Sequence, residues 1–409
     1  MIETSTLYNT LTDQIVQNWM LAPEILPSIK TKYSNFTKIL WESKFDKFIH
    51  FLKKQSQLNH PDRKKLLNKL SQFFKYNLNY SEAQLHLLFS DDMISASKDF
   101  IINAWKFDPD LSYEEIFQAL RNMWIIFGLQ SLFGKKIEST PSLMAYSLLY
   151  PYTDNFLDDL TISNEEKNKF SERFALRLSG VRSSTSTYIE KQTFALVDLI
   201  EDEFNRTEYP QIYQSLIDIH DAQTKSIDLL DNTQLLSETD LLKICIRKGA
   251  TSVIADGYLI LGELSDQQKQ LLFEYGAYLQ ILDDLQDANE DYEMGVNTCF
   301  SRLLPHQKLD KILCKTYYLG RSFLRTLQKL YPNEKIFYDL LRRSFGLILL
   351  ASLLQNQQNF SSKFIQKMEN HSPFRYSFII QRMEDLQPLK HLFLQKIENY
   401  KQQVSAKVS

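Results

Sequence analysis

The sequence predicts an all-α fold, and three observations carry that prediction. Glycine and proline are scarce, 10 and 11 of 409 residues, roughly half of ordinary usage, so few positions break a helix. Helix-start signals recur: Ser112 precedes Glu115, Ser163 precedes Glu166 and Ser265 precedes Gln268. At that spacing a hydroxyl and an acid or amide side chain satisfy the first free N–H groups of a helix. No stretch alternates apolar and polar residues over a length that suggests a strand.

Periodicity and caps place helices over 36–54, 61–76, 113–133, 141–160, 163–178, 185–206, 238–262, 265–290, 306–331 and 334–356. Long helices joined by short connections over most of the chain read as a helix bundle. Residues 1–110 are rich in Lys, Asn and Gln, with breaks at Asn59-His60-Pro61 and Phe107-Asp108-Pro109. They read as an N-terminal helical extension packed on a catalytic helical domain over 111–400, followed by a frayed tail over 401–409.

Composition excludes several classes. A net charge of −3 with no polybasic run gives no reason to expect nucleic acid. Three cysteines, Cys245, Cys299 and Cys314, show no metal-type spacing, and their odd number argues against a disulfide framework. The first residues lack a basic region followed by an apolar run, and the longest apolar stretch, 345–354, is too short for a transmembrane segment. The expectation is a cytoplasmic protein. No Gly-rich phosphate loop and no Ser/His or Cys/His spacing suggests another chemistry.

Two acidic segments stand out. In TDNFLDDLTIS, Asp154 and Asp158 are four apart and share one helix face, and Asn155 and Asp159 form a second such pair. Leu143, Met144, Ser147, Leu148 and Tyr150 precede them as the inward side of the same helix, and Pro151 is placed to kink it. In GAYLQILDDLQDANED, Asp283, Asp287 and Asp291 fall at i, i+4 and i+8 beside Asp284, after an apolar side of Leu272, Tyr275, Leu279 and Leu282. Carboxylates aligned on one face repel each other by a few tenths of a kcal/mol per exposed pair, and by more when desolvated. Magnesium offsets that repulsion: it is a hard ion that takes carboxylate oxygens, keeps waters and bridges to phosphate. Two such faces opposite each other make a cage open to a diphosphate.

These residues resemble the class I isoprenoid synthase superfamily over about residues 120–310. Asp154-Asn155-Phe156-Leu157-Asp158 resembles the first aspartate-rich DDxxD motif with Asn in second place, and DNFLDDLTIS is similar to the DTxEDDxTIS stretch of squalene synthases. Gly276 to Asp287 is similar to the GxxFQxxDDxxD second motif of trans-prenyltransferases. RKGATSVIADGYLILGEL resembles the prenyltransferase segment whose lysine binds diphosphate. There are departures. The paired arginines that follow the first motif of chain-elongating enzymes are missing from LTISNEEKNKFSERF. The second motif differs from the DxxxD of squalene synthases. The mosaic resembles atypical bacterial terpene synthases, and the resemblance implies a large antiparallel helix bundle with an active-site cavity in its core.

The resemblance implies a metal set of Asp154, Asn155, Asp158, Asp283, Asp284, Asp287 and Asp291 holding Mg2+, with Mn2+ as an alternative. Asp154, Asp158, Asp283 and Asp287 are the catalytic group. Lys248 and Arg247 are expected at the diphosphate, with Gln280, Tyr150 and Phe156 at the substrate. Phe127, Tyr146, Tyr275 and Tyr278 are further aromatic candidates, better explained as core. Arg173, Arg177, Arg182 and Arg302 read as surface residues. The implied activity is ionisation of a prenyl diphosphate with release of pyrophosphate, as a terpene synthase. Two alternatives stay open: a prenyltransferase of the chain-elongating or squalene/phytoene synthase type, and a catalytically inactive helical binding protein. The expected partner is the prenyl diphosphate substrate, with a homodimer allowed.

Overall fold

A computed structural model describes residues 2–58, 62–159, 161–230, 236–383 and 385; the side chain of Asp158 is outside the described set. The break expected at Asn59-His60-Pro61 and the tail 401–409 also fall outside it. The described residues are all-helical, with no strand among them.

In chain order the helices are α1 (Ile2–Met20), α2 (Asn35–Ser56), α3 (Arg63–Asn77), α4 (Glu82–Leu88), α5 (Asp91–Phe107), α6 (Tyr113–Leu132), α7 (Pro141–Asp158), α8 (Asn164–Leu178) and α9 (Tyr188–Glu203). They continue as α10 (Pro210–Ser226), α11 (Glu238–Leu261), α12 (Asp266–Gln286), α13 (Ala288–Met294), α14 (Asp310–Leu330), α15 (Lys335–Gln355), α16 (Ser362–Asn370) and α17 (Tyr376–Met383). The expected capping boxes form at Ser163 with Glu166 and at Ser265 with Gln268, and a third forms at Ser81 with Gln84. Helix α6 starts directly after Ser112.

The chain divides into two compact units at places other than those expected. One unit joins Met1–Leu26 to Glu114–Asn359; the other holds Pro27–Tyr113 and the described residues from Phe360 onward. The first 26 residues thus group with Glu114–Asn359 rather than with Pro27–Tyr113. In α1, Tyr8, Leu11, Ile15 and Trp19 recur at helical spacing and are all buried. Tyr8 stacks on Phe273 with ring centroids 5.3 Å apart, and Trp19 meets Phe300 edge-on at 6.1 Å. That apolar face packs α1 on α11, α12 and α14.

The first unit is built around α11 and α12. They run antiparallel: Gly249 faces Gly276 and Gln280, whereas Gly257, further along α11, faces Leu272, earlier on α12. The two backbones nearly touch. A Cβ on Gly276 would lie 2.1 Å from the Gly249 carbonyl oxygen, and one on Gly249 would lie 2.3 Å from that of Gly276, so only glycine permits the approach. Helix α10 packs on α11, α7 on α9, and α14 and α15 on α12. Helix α7 is buried on every side over its first turns, from Ser142 to Leu149.

The helix expected over 265–290 is two helices. Helix α12 ends at Gln286, Asp287 has φ −91° and ψ 8°, and α13 follows. The break has a partner: the buried Asn356 amide donates to the carbonyls of Leu285 (3.3 Å) and Gln286 (3.0 Å), taking the acceptors that end α12.

In the other unit, α2 and the segment after Phe360 are tied by charge and rings. Arg375 donates to both Glu42 oxygens, Nε at 3.0 Å and Nη2 at 2.5 Å, and Trp41 packs on Phe374 at 4.7 Å. An open groove of about 680 Å³ lies between α2 and α17, crossed by the Glu42–Arg375 and Asp46–Arg382 pairs. None of the expected site residues lines it.

Candidate active site

Helix α7 delivers the first acidic segment. Thr140 caps it, accepting from the Leu143 N–H at 3.4 Å, and Pro141 starts it. The helix continues through Pro151, whose missing N–H leaves the Ser147 carbonyl without its usual partner. At its end Asp159 accepts from the Thr161 N–H at 2.8 Å and hydroxyl at 2.7 Å, and the chain turns out of the helix. Asp154 points inward, 9% exposed. Asn155 is exposed and makes a reciprocal amide pair with Gln118 of α6, at 3.4 and 3.3 Å. Phe156 packs on Phe170, 4.9 Å between ring centroids, within the aromatic run of α8. Adjacent helix positions point about 100° apart, so Asp154 parts company with Asn155 and Phe156.

Lys248 brings the two acidic segments together. Its Nζ lies 3.2 Å from Asp154 Oδ1, with both side chains largely buried, 18% and 12% exposed. The Tyr150 hydroxyl donates to the same carboxylate. The Asp154 charge, with burial added, raises the Tyr150 pKa well above its ordinary value. Burial also pushes Asp283 up; Asp154 adds to that shift, and Arg121 and Lys248 oppose it. Asp154 and Asp283, 129 positions apart in the chain, thus share the electrostatic influence of one lysine. The close approach at Gly249 and Gly276 puts Lys248 beside the turn of α12 that carries Gln280, Asp283 and Asp284.

The rest of the second segment is an acidic cluster. Asp284 is buried; its Oδ1 accepts from Gln280 Nε2 at 2.8 Å. Burial raises it to about 6, and Asp283 adds to the shift. Burial and the charges of Asp283, Glu290 and Asp284 raise Asp287 to about 7, against Arg121. Burial and the charges of Asp284, Asp287 and Asp283 raise Asp291 to about 8, against a hydrogen bond from Thr298. These carboxyls act on one another electrostatically, although the bend at Asp287 means that they do not lie along one straight helix.

Arg247 does not join Lys248. It lies over the Tyr8 ring at 5.9 Å and faces Asp218, on the side of α11 covered by α1 and α10. The cation missed in the sequence is Arg121, the sole basic residue of α6. It is exposed and opposes the charge of both Asp283 and Asp287. Its one signal was isolation in a helix otherwise charged only at Glu114 and Glu115.

The remaining candidates are structural. Phe127, Tyr146, Tyr275 and Tyr278 are core residues, and Tyr275 stacks on Phe323 at 5.1 Å. Arg177, expected at the surface, is buried between Asp198 (2.6 Å) and Glu201 (2.7 Å); Arg173 pairs with Glu190. Arg302 donates to the Leu236 carbonyl at 2.5 Å.

Among the described residues, no three His, Cys, Asp or Glu side chains form a ready-made metal cage. Magnesium does not require one, because it commonly binds through one or two carboxylates together with phosphate oxygens and waters. The donors here are hard carboxylate oxygens with repulsion that a cation would offset, and in that sense they fit the ion. No helix of the described residues is long and apolar enough to cross a membrane. Compared with known proteins, the chain matches no family model, no curated protein and no solved structure.

Proposed function

We propose that this protein is a magnesium-dependent enzyme of the class I isoprenoid type that ionises a prenyl diphosphate and releases inorganic pyrophosphate, as a terpene synthase does. One observation carries the reading: Lys248, largely buried, pairs with Asp154 of one acidic segment and acts electrostatically on Asp283 and Asp284 of the other, which is distant in sequence. Solvated acidic faces have no reason to converge, and buried carboxylates that repel each other cost stability unless a ligand uses them.

Asp154, Asp283 and Asp287 would hold magnesium, with Asp158 as the sequence expects and Asp284 and Asp291 behind them. Bound metal would neutralise charge that develops on the leaving diphosphate. The chain's own residues supply the rest. Lys248 and Arg121 offer fixed positive charge to the phosphates from opposite helices. Tyr150 orients Asp154, and Gln280 orients Asp284. The missing arginine pair and the form of the second motif favour loss of pyrophosphate from one prenyl diphosphate over condensation of two substrates.

The test is incubation with C10, C15, C20 and C25 prenyl diphosphates and magnesium, with and without isopentenyl diphosphate, followed by pyrophosphate and product analysis. Pyrophosphate release from one prenyl diphosphate alone is expected, and a chelator abolishes it. A strict need for isopentenyl diphosphate, or a product joining two prenyl chains, would replace the reading with prenyl transfer. No release from any substrate would overturn it.

A further inference from the structure

The Lys248–Asp154 pair bears on how metal and substrate enter. Resting on the reading above, we infer that Lys248 occupies the place of a metal ion at Asp154 in the free protein, so that metal and diphosphate bind cooperatively through it. Asp154 is satisfied without a metal. Its Oδ1 has the Lys248 ammonium at 3.2 Å, and the Tyr150 hydroxyl donates to the same group. A bare ion arriving at Asp154 must displace that ammonium, and both side chains are largely removed from water. In such surroundings, taking a carboxylate from a desolvated cation is costly. The described side chains provide no three-ligand cage to repay it.

A diphosphate changes the balance. Its oxygens give Lys248 a new anionic partner and give the metal the ligands that the protein lacks. Lys248 moves from carboxylate to phosphate, and Asp154 is freed for the ion. Arg121 is not part of the exchange, because it faces Asp283 and Asp287. Metal and diphosphate then raise each other's affinity by the same factor, as linkage requires. The device would keep Asp154 from taking up an ion when no substrate is present.

The experiment is a manganese titration followed by the EPR signal of the free ion, with and without inorganic pyrophosphate. It uses the full chain, Lys248→Met, Lys248→Gln and Asp154→Asn, after correction for the manganese–pyrophosphate complex in solution. The full chain should bind manganese weakly alone and at least tenfold more tightly with pyrophosphate. Lys248→Met should bind manganese alone about tenfold more tightly than the full chain, about 1.4 kcal/mol, and gain less from pyrophosphate. Lys248→Gln, which keeps a hydrogen-bond donor without the charge, should fall between them and serves if the methionine variant does not fold. Unchanged affinity for manganese alone in the Lys248 variants, with turnover intact in the full chain, overturns the place-holding role and leaves the enzymatic reading standing. Absence of any manganese binding that Asp154→Asn removes sinks both.

Discussion

At the scale of single residues, Asp154 and Asp283 are expected to fail in the same way and to differ in stability. Asp154→Asn and Asp283→Asn should each lower pyrophosphate release by more than a hundredfold, about 2.7 kcal/mol of transition-state stabilisation. Asp154 balances Lys248, so its amide weakens an ion pair between two largely buried side chains and should lower the Tm. Asp283 is held above its usual pKa by burial and by Asp154, so its amide relieves a penalty and should leave the metal-free Tm unchanged or higher. Thermal melts of the two proteins without metal check the contrast, and a large drop for Asp283→Asn would make that carboxylate structural. Arg121→Gln tests the residue that sequence reading passed over. It should weaken binding of inorganic pyrophosphate in the presence of magnesium about tenfold, about 1.4 kcal/mol, by calorimetry. Arg247→Gln, on the Tyr8 side of α11, should bind pyrophosphate as the unaltered chain does.

At the scale of elements, the site depends on how closely α11 and α12 lie. Gly249 and Gly276 put the two backbones in contact, and Lys248 and Gln280 are neighbours of that point. Gly276→Ala would place a methyl group 2.1 Å from a backbone oxygen, so the helices must separate. Overpacking of this kind costs about 1–3 kcal/mol, measurable as a lower midpoint in urea. The same shift moves Asp283 and Asp284 away from Lys248, so activity should fall more than stability at a temperature where the variant is still folded. A variant with ordinary stability and ordinary turnover would show that the contact does not position the site. The end of α12 is a second such place, because the Asn356 amide holds its last carbonyls and so sets where Asp287 and Asp291 lie.

At the scale of the whole molecule, pH should act in two opposed ranges. Asp291, Asp287 and Asp284 are raised by burial, with neighbouring carboxylates adding, to about 8, 7 and 6. Each takes up a proton more readily folded than unfolded, so metal-free stability should rise as pH falls from 8 towards about 4. Glu190 and Glu201 run the other way. Burial pushes them up, but Arg173 with Ser186, and Arg177 with Arg206, more than offset it and hold each at about 2. Their contribution is present above the ordinary carboxylate range and lost as pH falls through about 2. A melting series in chelator should therefore peak near pH 4–5. Asp287→Asn with Asp291→Asn should flatten the limb above the peak, and Glu201→Gln the limb below it. A Tm that rises steadily from pH 4 to 8 would contradict the burial of the acidic cluster.

Much of this was legible in the chain. Scarce glycine and proline, capping spacings and apolar periodicity are local properties, and they were enough for the all-α class and for most helices between Tyr113 and Gln355. The acidic residues were legible for the same reason: i, i+4 spacing pairs Asp154 with Asp158 and Asp283 with Asp287 in the sequence. Helix α1 also carried its signal in Tyr8, Leu11, Ile15 and Trp19, but periodicity does not say which unit that face joins. Tertiary structure alone decided the rest. Periodicity gives the face of a helix but not what lies opposite, so it did not separate Lys248 from Arg247 or bring Arg121 of α6 to Asp283 and Asp287. It did not reveal that Asn356, 70 residues on, ends α12 and bends the acidic segment. The sequence by itself determined which helices form and where carboxylates cluster, because those depend on neighbours a turn away. Packing decided which cation meets which acid, because burial and Coulomb interaction depend on distance in space.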